Sequence, residues 1–276
     1  MNAKETNLLK FLDGTKQFNI PIYQRTYSWN VNQCEQLFED ICKTGENISR
    51  YGHFIGSVVY VEKGLYQISS VPQLLVIDGQ QRLTTLSLLL FALSKKLKQE
   101  GETIEINDRK IINKYVLNND ESGENRFKLI LTKGDKETLF TLFQDKDLPS
   151  NHSKRIVDNY KFFVEKLKKI DVKTVYQGIS KLFIIDVALD KDKDNPQLIF
   201  ESLNATGLAL SQADLIRNYI LMSRSPEEQD ELYNDYWHRM EQGFGQAEYS
   251  ELFDRFMRDY LTIKTTPVVN GISINK

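Results

Sequence analysis

Within five residues, Asp78, Gly79, Gln80, Gln81 and Arg82 bring together a carboxylate, a glycine, two amides and a guanidinium. Such a set suits phosphate chemistry. A glycine lets an anion approach the backbone closely, and an arginine grips phosphate oxygens with two parallel N–H donors. Asp78 repels a bare phosphate unless it caps a helix, binds a ribose hydroxyl, or holds a divalent metal that bridges to the phosphates. The flanks show what positions these groups. Leu74, Leu75, Val76 and Ile77 form an apolar run of strand type, and Leu83, Leu86, Leu89, Leu90, Leu93 and Leu97 recur at helical spacing. The polar five therefore occupy a strand-to-helix turn, whose free N–H groups and partial charge of about half an elementary unit attract anions. A plainer reading fits the same spacing, with Asp78 only an N-cap and Gln80 to Arg82 a solvated first turn. Spacing alone does not displace it.

A second concentration of chemistry lies in residues 20–29, where Pro21, Tyr23, Gln24, Arg25, Tyr27 and Trp29 follow one another. The proline bars a helix interior. Aromatic faces and an arginine can line a pocket for a flat, charged ligand. The alternative is an extended segment that packs its aromatics onto the core.

The remaining pattern supplies the frame. Residues 5–12 read as a short helix ending at Asp13-Gly14, and residues 17–20 as extended chain leading into Pro21. Asn30 or Asn32 caps a helix that faces Leu37, Phe38 and Ile41 inward. Residues 53–61 are rich in branched and aromatic side chains and predict a strand, with Gly56 marking a bulge or a close approach. A turn is expected near Glu62 to Gly64, and the composition becomes polar after Gln99. Helical spacing recurs over 108–117, 134–144 and 152–170, strands are expected at 126–131 and 181–189, and Asn195-Pro196 opens a helix. A turn at Asn204 to Gly207 precedes a helix from Ala213 to Met222 that begins with a capping-box-like Ser211 and Asp214, and two amphipathic helices follow at 226–241 and 248–262. The expected class is α+β: a small mixed-sheet α/β domain over 1–99 and a mainly helical domain over 100–276.

Composition sets the outer bounds. A net charge of -2 over 276 residues argues against nonspecific coating of nucleic acid, although it leaves room for a local basic cleft. Cys34 and Cys42 are too few for a disulfide framework, and no apolar run spans a bilayer, so a cytoplasmic protein with reduced thiols is expected. P-loop, dinucleotide-binding and zinc-protease motifs are absent, and three scattered histidines without a G-x-S-x-G elbow speak against a hydrolase triad. Asp186, Asp190, Asp192 and Asp194 after a strand read as a charged turn rather than a nuclease site.

Four segments in order resemble one family. They are Phe18 to Trp29, with Ile20-Pro21, Tyr23-Gln24-Arg25, Tyr27 and Trp29; His53-Phe54 with Gly56; Ile77 to Leu86; and Phe200 to Asn218. Together they are similar to the N-terminal domain of GmrSD-type restriction systems, which is related to the ParB and sulfiredoxin-like fold. The resemblance implies a nucleoside triphosphatase, with GTP or another triphosphate and Mg²⁺ as ligands. Asp78, Gln80, Gln81 and Arg82 would be catalytic, Asp78 also holding the metal, and Gly79, Thr84, Tyr23, Gln24 and Arg25 would bind nucleotide. Gln80 or Gln81 would orient the attacking water. Pro21, Tyr27 and Trp29 would enclose a modified base, making the chain a sensor of modified DNA in antiphage defence. Two alternatives remain, a modified-DNA-binding module that uses nucleotide only as a switch ligand, and a non-enzymatic partner-binding domain. Relatives commonly continue into an HNH nuclease. No such cluster appears here, so a truncated chain is expected that works with a nuclease domain or partner subunit, forms a homo-oligomer, and cuts no DNA alone.

Overall fold

The sheet begins where the sequence predicts helix. In the computed structural model, β1 (Asn2–Asn7) precedes a helix α1 of only five residues (Leu8–Leu12), capped by the Asn7 side chain. β1 is mostly exposed and polar, and its partner lies at the far end of the unit, so no local pattern announces it. Described are residues 1–47, 49, 51–62, 71–100, 107–190, 193–195, 198–200, 202, 211–222, 224–244, 249–265, 268–269 and 272–273.

The next elements follow the sequence reading closely. β2 (Gln17–Asn19) leads to α2 (Val31–Glu46), which Asn30 starts with a capping box closed by Gln33. β3 (His53–Glu62), β4 (Gln73–Asp78) and α3 (Gln80–Glu100) come next. The expected turn at Glu62 to Gly64 falls largely outside the described residues. α3 is buried nearly all round, with Leu83, Leu86, Leu88, Leu89, Leu90 and Leu93 each at most 2% exposed. It is a central helix rather than a surface one.

Beyond it come α4 (Asp108–Ile111), a π turn (Ile112–Val116), a 3₁₀ turn (Gly123–Arg126) and a two-residue β5 (Leu129–Ile130). α5 (Lys133–Phe143), α6 (Lys154–Leu167), α7 (Val172–Ser180) and β6 (Leu182–Leu189) complete the series. The sheet order is β1-β6-β3-β4-β2-β5. β1/β6 and β3/β4 are antiparallel and the other neighbours parallel, giving the mixed sheet of an α+β fold.

Contacts divide the chain into two units, Met1–Pro21 with Arg25–Pro196, and Ile22–Gln24 with Gln197–Lys276. The sheet of the first unit takes β5 and β6 from beyond residue 99, which carries that unit on to residue 196. The second is helical: α8 (Gln212–Met222), α9 (Pro226–Leu232), a π turn (Tyr233–Trp237), α10 (His238–Phe244) and α11 (Tyr249–Thr265), then a small hairpin of β7 (Val268–Val269) and β8 (Ile272–Ser273). Its core gathers Tyr23, Ala213, Leu221, Tyr233, Trp237 and Phe253. Asn204 and the turn expected there lie outside the described residues, as does the start of the helix expected at Asn195-Pro196. Among the described residues no helix is long and apolar enough to cross a membrane.

Candidate functional site

The turn between β4 and α3 is built by backbone requirements on both sides. Gly79 has φ +104°, and a Cβ there would lie 3.1 Å from the Ser57 carbonyl and 3.0 Å from Val58 Cγ2. No other residue fits without strain. The Gly79 carbonyl accepts from Leu83 N at 2.9 Å, so Gly79 rather than Asp78 occupies the N-cap position. That removes the plainer reading of the aspartate. The Asp78 carboxylate turns instead to Arg82, whose Nη2 donates to Oδ2 at 2.8 Å and also to the Ser57 carbonyl at 2.7 Å. Ser57 Oγ adds a weaker contact to the same Oδ2 at 3.4 Å.

β3 makes room for the guanidinium. Its pairing with β6 slips between Phe54 and Ser57, and Gly56 in the slip also has φ +104°. A Cβ on Gly56 would stand 2.5 Å from Arg82 Nη1. The bulge expected from Gly56 is thus a close approach to a specific side chain. Arg82 and Asp78 are about a quarter exposed, at 25% and 26%. Arg82 Nε is buried without a partner. The guanidinium, paired with Asp78, thus stands in the first turn of a 21-residue helix, where backbone N–H groups favour negative charge.

Gln80 and Gln81 look the other way. Gln80 Nε2 donates to the Arg25 carbonyl at 2.7 Å, and Gln81 Oε1 accepts from the backbone N–H groups of Ser28 at 2.9 Å and Trp29 at 3.2 Å. The paired glutamines thereby clasp residues 25–29 to the start of α3. Gln81 Nε2 stays buried without a partner. Thr84 is fully buried, and its hydroxyl donates to the Gln80 carbonyl one turn back, so it faces the helix rather than the turn.

The clasped segment has further anchors that sequence reasoning missed. Tyr27 N donates to Asp135 Oδ2 at 2.6 Å, Tyr27 OH meets Thr85 Oγ1 at 2.7 Å, and Asn159 Nδ2 donates to both Tyr27 OH and the Trp29 carbonyl at 2.8 Å. Burial pushes the Asp135 carboxyl above its usual range. One signal could have found Asn159. It falls in register with Ile156, Phe163 and Leu167 on the inward face of α6, where a polar residue needs a partner. Tyr27 is 2% exposed and Trp29 packs partly against the same core, so these aromatics support the segment from beneath. Pro21 is buried as well.

Tyr23 and Gln24 belong to the second unit. Tyr23 is 3% exposed in that unit's core, and burial raises its hydroxyl pKa. Its carbonyl accepts from Arg217 Nε at 2.9 Å. Arg217, itself 2% exposed, pairs with Asp214 at 2.7 Å and with Glu241. Ser211 caps this helix through Asp214 N at 3.1 Å. The later segment thus fixes the backbone of the earlier one at Tyr23.

The acidic strand end has structural duties. Asp186 accepts from Tyr60 OH at 2.9 Å, and Asp194 holds the Met1 ammonium at 2.7 Å. Asp192 lies outside the described residues. Among the described residues no cluster of three or more His, Cys, Asp or Glu side chains could hold a metal alone.

A family model described as "GmrSD restriction endonuclease, N-terminal domain" matches residues 8–221. No curated protein sequence matches the chain. The match takes in the β4–α3 turn, the clasped segment and the Asp214–Arg217 pair, and the chain belongs to the GmrSD restriction endonuclease N-terminal domain family.

Proposed function

We propose that this restriction-system component binds and hydrolyses a nucleoside triphosphate at the β4–α3 turn. The supporting observation is the pair of positive-φ glycines, Gly56 and Gly79, that seat the Arg82 guanidinium beside the first turn of α3. Arg82 Nε is buried there without an acceptor, which a phosphate oxygen would supply. The residues also suit Mg²⁺, which takes one or two carboxylates and completes its shell with phosphates and water. Asp78 Oδ1 has no partner among the described residues, and Ser57 Oγ lies alongside. Mg²⁺ would supply charge neutralisation at the transferring phosphate. Arg82 and the α3 amides would hold phosphate oxygens as charge develops. Gln80 and Gln81 serve as positioning residues through their hold on residues 25–29. The relation to ParB-like nucleotidases belongs to this same reading.

Recognition of modified DNA is the outer part of the proposal. It is supported by membership in a restriction endonuclease family and by Arg25 and Trp29, which keep some surface at the clasped segment. A nuclease domain or partner subunit would then perform the cut. Titrating GTP, ATP, CTP and UTP against the chain with and without Mg²⁺, and adding modified or plain DNA, tests both parts. Mg²⁺-dependent binding of a triphosphate and a rate that changes only with modified DNA are expected. No binding by any triphosphate would leave a partner-binding domain, and equal responses to both DNAs would remove the sensor role.

A further inference from the structure

The far half of α3 borders a cavity of about 360 Å³, within the range of small-ligand sites. Lys95, on its rim, is thirteen residues beyond Arg82, roughly 20 Å along the helix. The cavity is therefore distinct from the β4–α3 turn. Its floor is apolar: Phe91, Leu117 and Phe143 are buried, Ile112 is half-buried, and the rings of Phe91 and Phe143 pack with centroids 4.7 Å apart. Lys95 lies over the Phe91 ring at 5.0 Å and pairs with Asp145.

The rim is cationic. Lys98, Arg109 and Arg126 also line it, all exposed, and none has a carboxylate within ion-pair distance among the described residues. Asp108 is the one acid in the lining among the described residues. In a chain of net charge -2, this is a local reversal of sign. Two amides, Asn113 and Asn119, complete the wall, the second donating to the first. The wall itself departs from regular helix. Ile112 and Asn113 open the π turn, closed by Leu117 N to the Ile112 carbonyl at 2.8 Å. Such turns are rare in helices and frequent at functional sites.

An apolar floor, amides suited to the edge of a base, and guanidinium groups at the mouth that have no carboxylate partner among the described residues describe one ligand chemistry. We infer that this cavity binds a nucleoside phosphate, base inward and phosphate on Arg109 and Arg126. The ligand can be a free nucleotide or the end of a single strand, and the inference stands independently of nucleotide binding at Arg82.

Calorimetric titration of the whole chain with each of the four ribonucleoside 5′-monophosphates, inorganic phosphate, and a 5′-phosphorylated DNA tetranucleotide tests it. Saturable binding of a base-bearing probe is expected, weakened at least about tenfold in Arg109→Glu/Arg126→Glu. Both arginines are exposed, so the double variant folds. Binding by mononucleotides assigns the free ligand, and binding by the tetranucleotide alone assigns the strand end. The inference is overturned if no base-bearing probe saturates or if inorganic phosphate binds as tightly as the nucleotides. Unchanged affinity in the double variant also overturns it.

Discussion

Arg82 draws its position from groups on two strands: the Asp78 carboxylate at the end of β4, the Ser57 carbonyl on β3, and the missing side chain at Gly56. Gly56→Ala therefore tests geometry without touching a charge. Its Cβ would meet Nη1 at 2.5 Å in a backbone conformation that alanine adopts at a cost of about 1 kcal/mol or more. Triphosphate hydrolysis, followed by phosphate release, is expected to fall about tenfold or more while the protein remains folded by circular dichroism. Lys128 provides a pH test. It is 3% exposed, its Nζ donates to the Leu12 and Gly14 carbonyls, and burial pulls its pKa down to about 8 from 10.5. Between pH 8 and 10.5 the unfolded chain holds this proton and the folded chain does not, so stability contributed by this group rises with pH across that window. Urea unfolding of wild type and Lys128→Met at pH 7.5 and 10 should show the difference between them shift in favour of the wild type at the higher pH. A constant difference would remove the assigned cause. At this scale the sequence placed the aspartate and the arginine in one short turn, and the structure pairs them there. The sequence did not show that Gln80 and Gln81 reach residues 25–29, since that contact depends on which way a long side chain leaves the first turn.

Among the elements, α2 and α7 are held together by two glycines. A Cβ on Gly45 would stand 2.0 Å from the Thr174 carbonyl, and one on Gly178 the same distance from the Ile41 carbonyl. Neither neighbour is a flexible side chain, so the helices must separate to admit a methyl group. Gly178→Ala is expected to destabilise the protein by about 1–3 kcal/mol, despite alanine's better helix propensity, and denaturant midpoints would register it. A stabilised variant would contradict the packing. The sequence reading recovered α2, β3, β4, α3, α6 and β6 because each carries a strong period or a branched run. It missed α7, whose Val172, Val175 and Ile179 repeat over only nine residues, and β1, whose polar side chains show no alternation. The π turns at 112–116 and 233–237 fall inside spans that the sequence reads as plain helix.

Across the whole molecule, the family motifs are shared between two units. Residues 22–24 fold with the helical unit, and residues 25–29 with the sheet, so a single aromatic segment serves both. Asp186 and Asp194 are committed to Tyr60 and the Met1 ammonium, and among the described residues no group of three or more His, Cys, Asp or Glu side chains gathers there. Supercoiled plasmid incubated with the chain, Mg²⁺ or Mn²⁺ and each triphosphate should stay intact. Nicking that is lost on Asp186→Asn would place a nuclease where none is expected. The central claim, that the β4–α3 turn hydrolyses a triphosphate through Arg82, is tested most directly by measuring phosphate release from wild type and Arg82→Ala. The account expects release to fall at least about a hundredfold, with a melting temperature within about 4 °C of wild type because a partly exposed ion pair adds little stability. A folded Arg82→Ala protein that hydrolyses triphosphate at the wild-type rate would contradict it.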